Sequence, residues 1–203
     1  MAGNANPRFE EALAFAGQAH GSVKQERKGT DFPYIAHPIR VAEILDRFEC
    51  NEDVIVAGFL HDTIEDTNVT AEEISEAFSP RIATLVTSVS ESDKSLPWKT
   101  RKEHSIAHLE QQQDPEVLVL VAADKLDNVR SITDTLRHLG PEGTWALFNA
   151  KSSEQRWYYQ RIAEILLRHD PEGRLFRTLD SETQTLFRDR ADSTLRPGSV
   201  DEC

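Results

Sequence analysis

Apolar residues recur three or four positions apart along most of the chain, and this spacing predicts helices rather than strands. Several of these stretches begin with residues that cap helices, such as Asn6 before Pro7, Asn51, and Thr70 with Glu73 in a capping box. The predicted helices cover approximately residues 7–21, 38–48, 52–60, 71–78, 80–89, 101–112, 115–139, 150–168 and 181–190. The pattern therefore predicts an all-α protein.

The most apolar segment, VLVLVAA at residues 117–123, is compatible by itself with a buried strand or a buried helix. Asp114 and Pro115 precede it as a helix cap and a first helical residue. Helical spacing continues after it as far as Leu136, well beyond the length of a typical strand. We therefore predict one long helix that ends at Gly140.

Two polar segments interrupt the helices, and a polar region follows them. Residues 21–33 and Ser90–Pro97 combine helix-breaking residues with charge, which predicts loops. A chain of 203 residues fits a single large domain or one domain with a tail. We expect one domain over residues 1–170 and a C-terminal extension over residues 171–203, with a short helix and a mobile tail.

Composition narrows the class of protein. No stretch approaches the ~18 consecutive apolar residues of a membrane-spanning helix, and the first twenty residues lack the pattern of a secretory signal. Only two cysteines, Cys50 and Cys203, are present, so we expect neither a disulfide framework nor a cysteine zinc site. These features predict a protein of the cytoplasm that does not interact with membranes.

The chain is strongly acidic, with a formal net charge of −12. This is the wrong sign for a protein that binds DNA or RNA through its overall field, so a nucleic-acid partner is not expected. An anionic small molecule would need a local cluster of cations or a bound metal to enter.

The segment LHDTIEDT at residues 60–67 places four ionisable side chains at the end of an apolar helix. At 100° per residue, His61, Asp62, Glu65 and Asp66 would share one side of that helix, over an arc of about 140°. Such a set can bind a divalent metal and leave a carboxylate for proton transfer. The alternative is a solvated helix end.

Two other segments supply matching ligand types. His37 precedes Pro38 at a predicted helix N-cap, where its ring would have a defined direction. Asp124 follows the most apolar run, where a carboxylate is costly unless it is paired, for example with Lys125, or bound to a metal. Two imidazoles and two carboxylates suit manganese or iron. A metal bound in this way neutralises phosphate charge and lowers the pKa of its water, so the ligand set favours phosphoester hydrolysis as the reaction.

The order H…HD…D resembles the signature of HD-domain metal-dependent phosphohydrolases. RKGTDFPYIAHP (27–38), FLHDTIEDT (59–67) and ADKLDNVRS (123–131) resemble the hydrolase domain of RelA/SpoT homologues, particularly the free-standing small alarmone hydrolases. The resemblance implies an HD-domain helical bundle of about ten helices. It also implies Mn²⁺-dependent removal of the 3′-pyrophosphate from ppGpp or pppGpp, which yields GDP or GTP.

The same resemblance implies a role for each matched residue. It assigns one Mn²⁺ per chain to His37, His61, Asp62 and Asp124. It assigns Glu65 and Asp66 to positioning and proton transfer around the attacking water.

Further matches concern the nucleotide. Arg27, Lys28 and Asn128 match nucleotide-contacting residues, and Tyr158 matches a tyrosine that contacts phosphate or sugar. Without the resemblance, the basic pair would be interpreted as an exposed loop and Tyr158 as core.

One departure from the family pattern affects the basic residues near the site. The family usually has Lys-Leu-Ala-Asp before the last ligand, whereas this chain has Val121-Ala122-Ala123-Asp124. Four basic residues flank a loop and would either receive phosphates, as the corresponding basic stretch does in relatives, or form a solvated surface: Lys94, Lys99, Arg101 and Lys102.

Alternatives to the guanosine substrate also follow from the residues. The same chemistry could act on adenine alarmones such as (p)ppApp or on the 2′-phosphate of NADPH, and a binding module without turnover would belong to another class. A binder would not need Glu65 and Asp66 beside four ligands. The roughly 35 residues after Arg168 are too few for a synthetase domain, so we expect degradation only.

Overall fold

The computed structural model describes residues 6–23, 33–91 and 94–188. These residues form ten helices and no strand element, which confirms the predicted all-α class. The helices are α1 (Pro7–Ser22), α2 (Ala36–Arg47), α3 (Glu52–Leu60), α4 (Thr63–Asp66), α5 (Ala71–Ala77), α6 (Pro80–Val89), α7 (Trp98–Gln111), α8 (Pro115–Ala146), α9 (Ser152–His169) and α10 (Arg174–Leu186).

Side-chain caps begin several helices where the sequence predicts them. The Asn51 side chain accepts from the backbone N–H of Val54 at 3.1 Å. Thr70 and Glu73 form the reciprocal capping box that opens α5. These bonds satisfy amide groups that have no partner within the helix, so the local sequence alone fixes these starts.

Helix α2 begins earlier than predicted, and the assignment of His37 to an N-cap is wrong. The backbone N–H of His37 donates to the carbonyl of Tyr34 at 2.9 Å, so His37 is already the second residue of α2. Pro38 then falls in the first helical turn, where its missing N–H costs nothing.

The prediction of one continuous helix through LHDTIEDT is also wrong. Helix α3 ends at Leu60, and a turn at His61 and Asp62, where Asp62 (φ −97°, ψ −3°) lies at the edge of the helical region, separates it from α4. The Thr63 hydroxyl donates to the Leu60 carbonyl at 2.7 Å and holds the turn. The four ionisable residues therefore do not share one side of one helix.

The first part of α8 ends at Gly140, where the sequence predicts the end of the helix. Gly140 has a positive φ of 69°, which glycine adopts without steric cost, and a second helical stretch follows from Pro141 to Ala146. The helix expected at 181–190 begins earlier, as α10, and packs against α8 and α9. Leu175, Phe176 and Leu179 of α10 are buried in the main core.

Helices α2, α3 and α8 pack against one another and carry most of the residues described below. Their contact is close at Gly58 of α3, where a Cβ atom would stand 2.6 Å from the Leu45 side chain. Within the described part of the chain, no helix is both long and apolar enough to cross a bilayer.

Candidate metal centre

Two buried imidazoles face each other between α2 and the end of α3. The Nε2 atoms of His37 and His61 lie 3.2 Å apart, and the residues are 2% and 3% exposed. His37 Nδ1 donates to Asp127 Oδ2 at 2.7 Å, and His61 Nδ1 donates to the Gly58 carbonyl at 2.9 Å. Because both Nδ1 atoms donate, each neutral ring presents its Nε2 lone pair to the same point.

Two carboxylates complete this cluster. Asp62 Oδ2 lies 3.0 Å from His61 Nε2 and 3.5 Å from His37 Nε2. Asp124 Oδ1, from α8, lies 3.3 Å from His37 Nε2 and 3.9 Å from His61 Nε2. The structure thus brings together the four side chains that the sequence singled out as metal ligands.

The electrostatics of the cluster favour a cation. Burial opposes the charged form of His61, but Asp62 and Asp124 outweigh it and raise the pKa of His61 to about 9. Burial also opposes ionisation of Asp62 and Asp124, yet the pKa of each carboxyl lies well below its ordinary value. His61 is the main cause for Asp62, and Lys125 for Asp124.

The donor set fits a divalent metal. Ligand atoms of His37, His61 and Asp62 lie within 4.8 Å of one another. The two facing Nε2 atoms require a cation between them, either a proton or a metal ion, and nitrogen with carboxylate oxygen suits first-row divalent ions. The described residues therefore include a site with the chemistry of a divalent-metal centre.

Neighbouring side chains hold the carboxylates in place. The Tyr34 hydroxyl donates to Asp62 Oδ2, and burial, with Asp62 next, raises the pKa of Tyr34 well above its ordinary value, so it keeps its proton. Asn128 Nδ2 donates to Asp124 Oδ1 at 2.6 Å, and Lys125 Nζ donates to Asp124 Oδ2 at 2.5 Å. Asn128, predicted to contact nucleotide, thus also orients a predicted ligand.

The two acidic residues of α4 occupy different surroundings. Glu65 lines the pocket described below and accepts from the backbone N–H of Glu91 at 3.1 Å, and burial raises the pKa of Glu65. Asp66 binds Lys94 and is not among the lining residues. Lys94 Nζ also lies 3.5 Å from Glu65 Oε1, so this lysine pairs with both acidic residues of α4.

A pocket of about 430 Å³ opens over the cluster. Its walls include Arg101 and Lys102 of α7 and Lys125 of α8, and these cations lie near Glu91 or Asp124. Lys102 and Lys125 place their Nζ atoms 5.0 and 5.7 Å from the centre of the Tyr158 ring. The pocket therefore has the candidate metal ligands at one side and basic residues at another.

The remaining predicted residues have mixed outcomes. Tyr158 both lines the pocket and is buried, so its two interpretations are compatible. Val121 lines the pocket where the family pattern has a lysine, and Lys102 and Lys125 supply positive charge in that pocket. Arg27 and Lys28 lie outside the described residues.

Sequence reasoning missed three residues that act on the predicted set. Asp127 contacts His37, Tyr34 contacts Asp62, and Glu91 contacts Glu65. Asp127 carried a signal, since it is a second acidic residue three positions after Asp124 in an apolar helix. Glu91 lies in a loop and gave no periodic signal.

Comparisons with known proteins agree on one family. The family described as "HD domain" matches residues 12–145. The "Guanosine-3′,5′-bis(diphosphate) 3′-pyrophosphohydrolase MESH1" of Danio rerio is 38% identical over 157 residues, 76% of each chain. A solved structure described as "a metazoan ortholog of SpoT" that "hydrolyzes ppGpp" aligns with a TM-score of 0.71 and 26% identity, over 94% of this chain and 99% of the other.

Longer relatives match only in part. The guanosine-3′,5′-bis(diphosphate) 3′-pyrophosphohydrolase of Aquifex aeolicus is 39% identical over 126 residues, 61% of this chain. That match covers 18% of the Aquifex protein, so this chain spans less than a fifth of the first curated relatives.

Proposed function

This chain belongs to the HD-domain family, and we propose that it is a metal-dependent hydrolase that removes the 3′-pyrophosphate of guanosine alarmones. Water and ppGpp or pppGpp would give GDP or GTP and pyrophosphate. The observation that carries the proposal is the convergence of His37, His61, Asp62 and Asp124 at the base of a pocket with a basic wall.

These four side chains would hold the metal, and we propose one Mn²⁺ per chain. Imidazole nitrogen and carboxylate oxygen are ligands that suit manganese or iron, whereas a zinc site rich in sulfur would need cysteine ligands. When bound, a divalent cation neutralises phosphate charge and makes water more acidic.

Glu65 is the proposed proton acceptor. It lines the pocket, and burial raises the pKa of its carboxyl toward the range in which a general base works best. The backbone N–H of Glu91 holds Oε2 of Glu65, and Oε1, which lies 3.5 Å from Lys94 Nζ, would accept the proton of the attacking water. Asp66 would act less directly, by holding Lys94 beside Glu65.

The basic wall would receive the phosphate groups. In the substrate-free chain, Glu91 accepts from Arg101 and Lys102, so a phosphate that enters would compete with a carboxylate for these donors. Lys94, Lys125, Asn128 and Tyr158 would contribute contacts near the ester. The proposed nucleotide contacts of Arg27 and Lys28 rest on the family pattern.

The proposed setting follows from the substrate. Guanosine alarmones are small cytoplasmic nucleotides, so we place the protein in the cytoplasm and expect neither nucleic acid nor membrane as a partner. The acidic net charge of −12 supports this, because the pocket alone would attract polyanions.

The test is a substrate comparison. Metal-stripped protein, resupplied with Mn²⁺, is offered ppGpp, ppApp and NADPH separately, and released pyrophosphate and phosphate are quantified. We expect pyrophosphate from ppGpp, and no product without metal. Turnover of ppApp or NADPH but not of ppGpp would contradict the guanosine assignment. Binding of ppGpp without any product would favour a nucleotide-binding module.

A further inference from the structure

Asp127 is a buried carboxylate that lies three residues after Asp124 and contacts the proposed ligand His37. It is 2% exposed and accepts the Nδ1–H of His37 at 2.7 Å. Its other oxygen, Oδ1, lies 4.0 Å from Arg40 NH1. Burial of a carboxylate costs free energy unless hydrogen bonds or ion pairs compensate. The contacts of Asp127 with His37 and Arg40 are therefore the interactions to explain.

The two imidazoles of the cluster are held by different acceptors. His61 donates to a neutral backbone carbonyl, that of Gly58, whereas His37 donates to the Asp127 carboxylate. A charged acceptor on Nδ1 fixes the tautomer and makes Nε2 a stronger donor to a metal. The cluster is therefore asymmetric, and His37 is the better electron donor of the pair.

The geometry of α8 explains why one helix can provide both interactions. Asp124 and Asp127 are three residues apart and so lie on neighbouring positions of one helix face. Asp124 reaches His37 Nε2 at 3.3 Å, and Asp127 reaches Nδ1 of the same ring. Helix α8 thus contacts both ring nitrogens of His37.

We propose that Asp127 is a positioning residue for the metal: it holds the His37 ring with its Nε2 lone pair directed into the cluster and strengthens that nitrogen as a ligand. This inference rests on the proposed function, because it requires a metal at the cluster. It assigns Asp127 no contact with substrate.

The matched variants are Asp127→Asn and Asp134→Asn in the full-length protein. Both lie on α8, but Asp134 is exposed and pairs with Arg137. An amide at 127 can still accept from Nδ1 but carries no charge. We expect Mn²⁺ to bind Asp127→Asn about 10- to 100-fold more weakly than wild type, as for other residues of this kind, and Asp134→Asn to bind like wild type.

A second variant and a spectroscopic measurement separate positioning from packing. Asp127→Glu keeps the charge and should bind Mn²⁺ more tightly than Asp127→Asn. With Co²⁺ in place of Mn²⁺, the visible absorption bands should shift in Asp127→Asn and stay unchanged in Asp134→Asn.

Two results would overturn the inference. If Asp127 only joins α2 to α8, Asp127→Asn will lower the Tm of the metal-free protein while the Kd for Mn²⁺ stays at the wild-type value, and the proposed function survives. If wild-type protein binds no divalent metal, both the inference and the proposed function fail.

Discussion

At the scale of single residues, the site is defined by what each ring nitrogen of two histidines contacts. Because Nδ1 of His37 and of His61 both donate outward, both Nε2 atoms face inward at 3.2 Å. Burial of 97% or more keeps water from separating them. The arrangement is stable only with a positive charge nearby, either a proton or a metal.

This competition between proton and metal predicts a pH dependence. In the metal-free chain the carboxylates raise the pKa of His61 to about 9, so His61 carries a proton at pH 7 that a metal must displace. Metal binding at pH 7 should release about one proton per ion, and affinity should rise with pH up to about 9. Calorimetry in buffers of different ionisation enthalpy measures the release.

The control for this titration is His138→Gln, because His138 is exposed and lies outside the site. It should leave the proton release unchanged. Binding at pH 7 without any proton release would contradict the proposed state of His61.

Glu65 provides the second test at this scale. Glu65→Gln should lower turnover about 10²- to 10⁴-fold, the usual effect of losing a general base, while Mn²⁺ affinity stays unchanged. Glu76→Gln, on the exposed side of α5, is the matched control. Steady-state turnover and metal titration on the same preparations decide the question, and an active Glu65→Gln enzyme would assign the proton transfer elsewhere.

The sequence identifies ligand types well, but not where each side chain points. His37, His61, Asp62 and Asp124 could be selected because only a few residue types bind metals and they occur in conspicuous places. Asp66 could not be separated from Glu65, because which of the two side chains lines the pocket depends on how α4 is oriented after the turn at Asp62. The Thr63 hydroxyl donates to the Leu60 carbonyl at this turn, which apolar spacing alone does not predict.

At the scale of helices, the close contact of α2 with α3 places His37 beside His61. Gly58 allows this approach, since a Cβ atom there would stand 2.6 Å from Leu45 Cδ1 and 3.4 Å from the Ala42 backbone. Leu45 is fully buried, so it has little room to move away.

Two glycine substitutions test this contact. Gly58→Ala should lower the free energy of unfolding by about 1–3 kcal/mol through overpacking and weaken Mn²⁺ binding, because α3 must shift. Gly17→Ala, in α1 with nothing within 4 Å of the added Cβ, should raise the free energy of unfolding by about 0.5–1 kcal/mol. Urea denaturation measures both, and a stabilising Gly58→Ala would show that the contact is not tight.

Helix boundaries were predictable where local chemistry sets them. Asn51 and the Thr70 capping box start their helices as predicted. The start of α2 was not predictable in this way, because it depends on a turn at Tyr34 rather than on Pro38. Helix α10 begins before its predicted range because its apolar residues pack on α9, which precedes it, and on the more distant α8.

At the scale of the whole molecule, the cluster joins parts of the chain that are far apart. His37 lies on α2, His61 and Asp62 follow α3, and Asp124 lies on α8. A metal held by all of them would bind only the folded chain and so stabilise it.

Metal removal should therefore lower the Tm. Mn²⁺ at about 100 times its Kd adds about 2.7 kcal/mol, which for a chain of this size corresponds to roughly 5–10 °C. Scanning calorimetry with excess Mn²⁺ and after chelation measures the difference. Equal Tm values under both conditions would mean that the four side chains do not share an ion.

The central claim is that four side chains hold one catalytic metal, and Asp124→Ala tests it most directly. Bound Mn²⁺ and pyrophosphate released from ppGpp are measured on the same preparations of wild type, Asp124→Ala and the exposed control Asp134→Ala. The account predicts one Mn²⁺ per chain and turnover in wild type and control, and neither in Asp124→Ala. Full metal content and undiminished turnover in Asp124→Ala would contradict it.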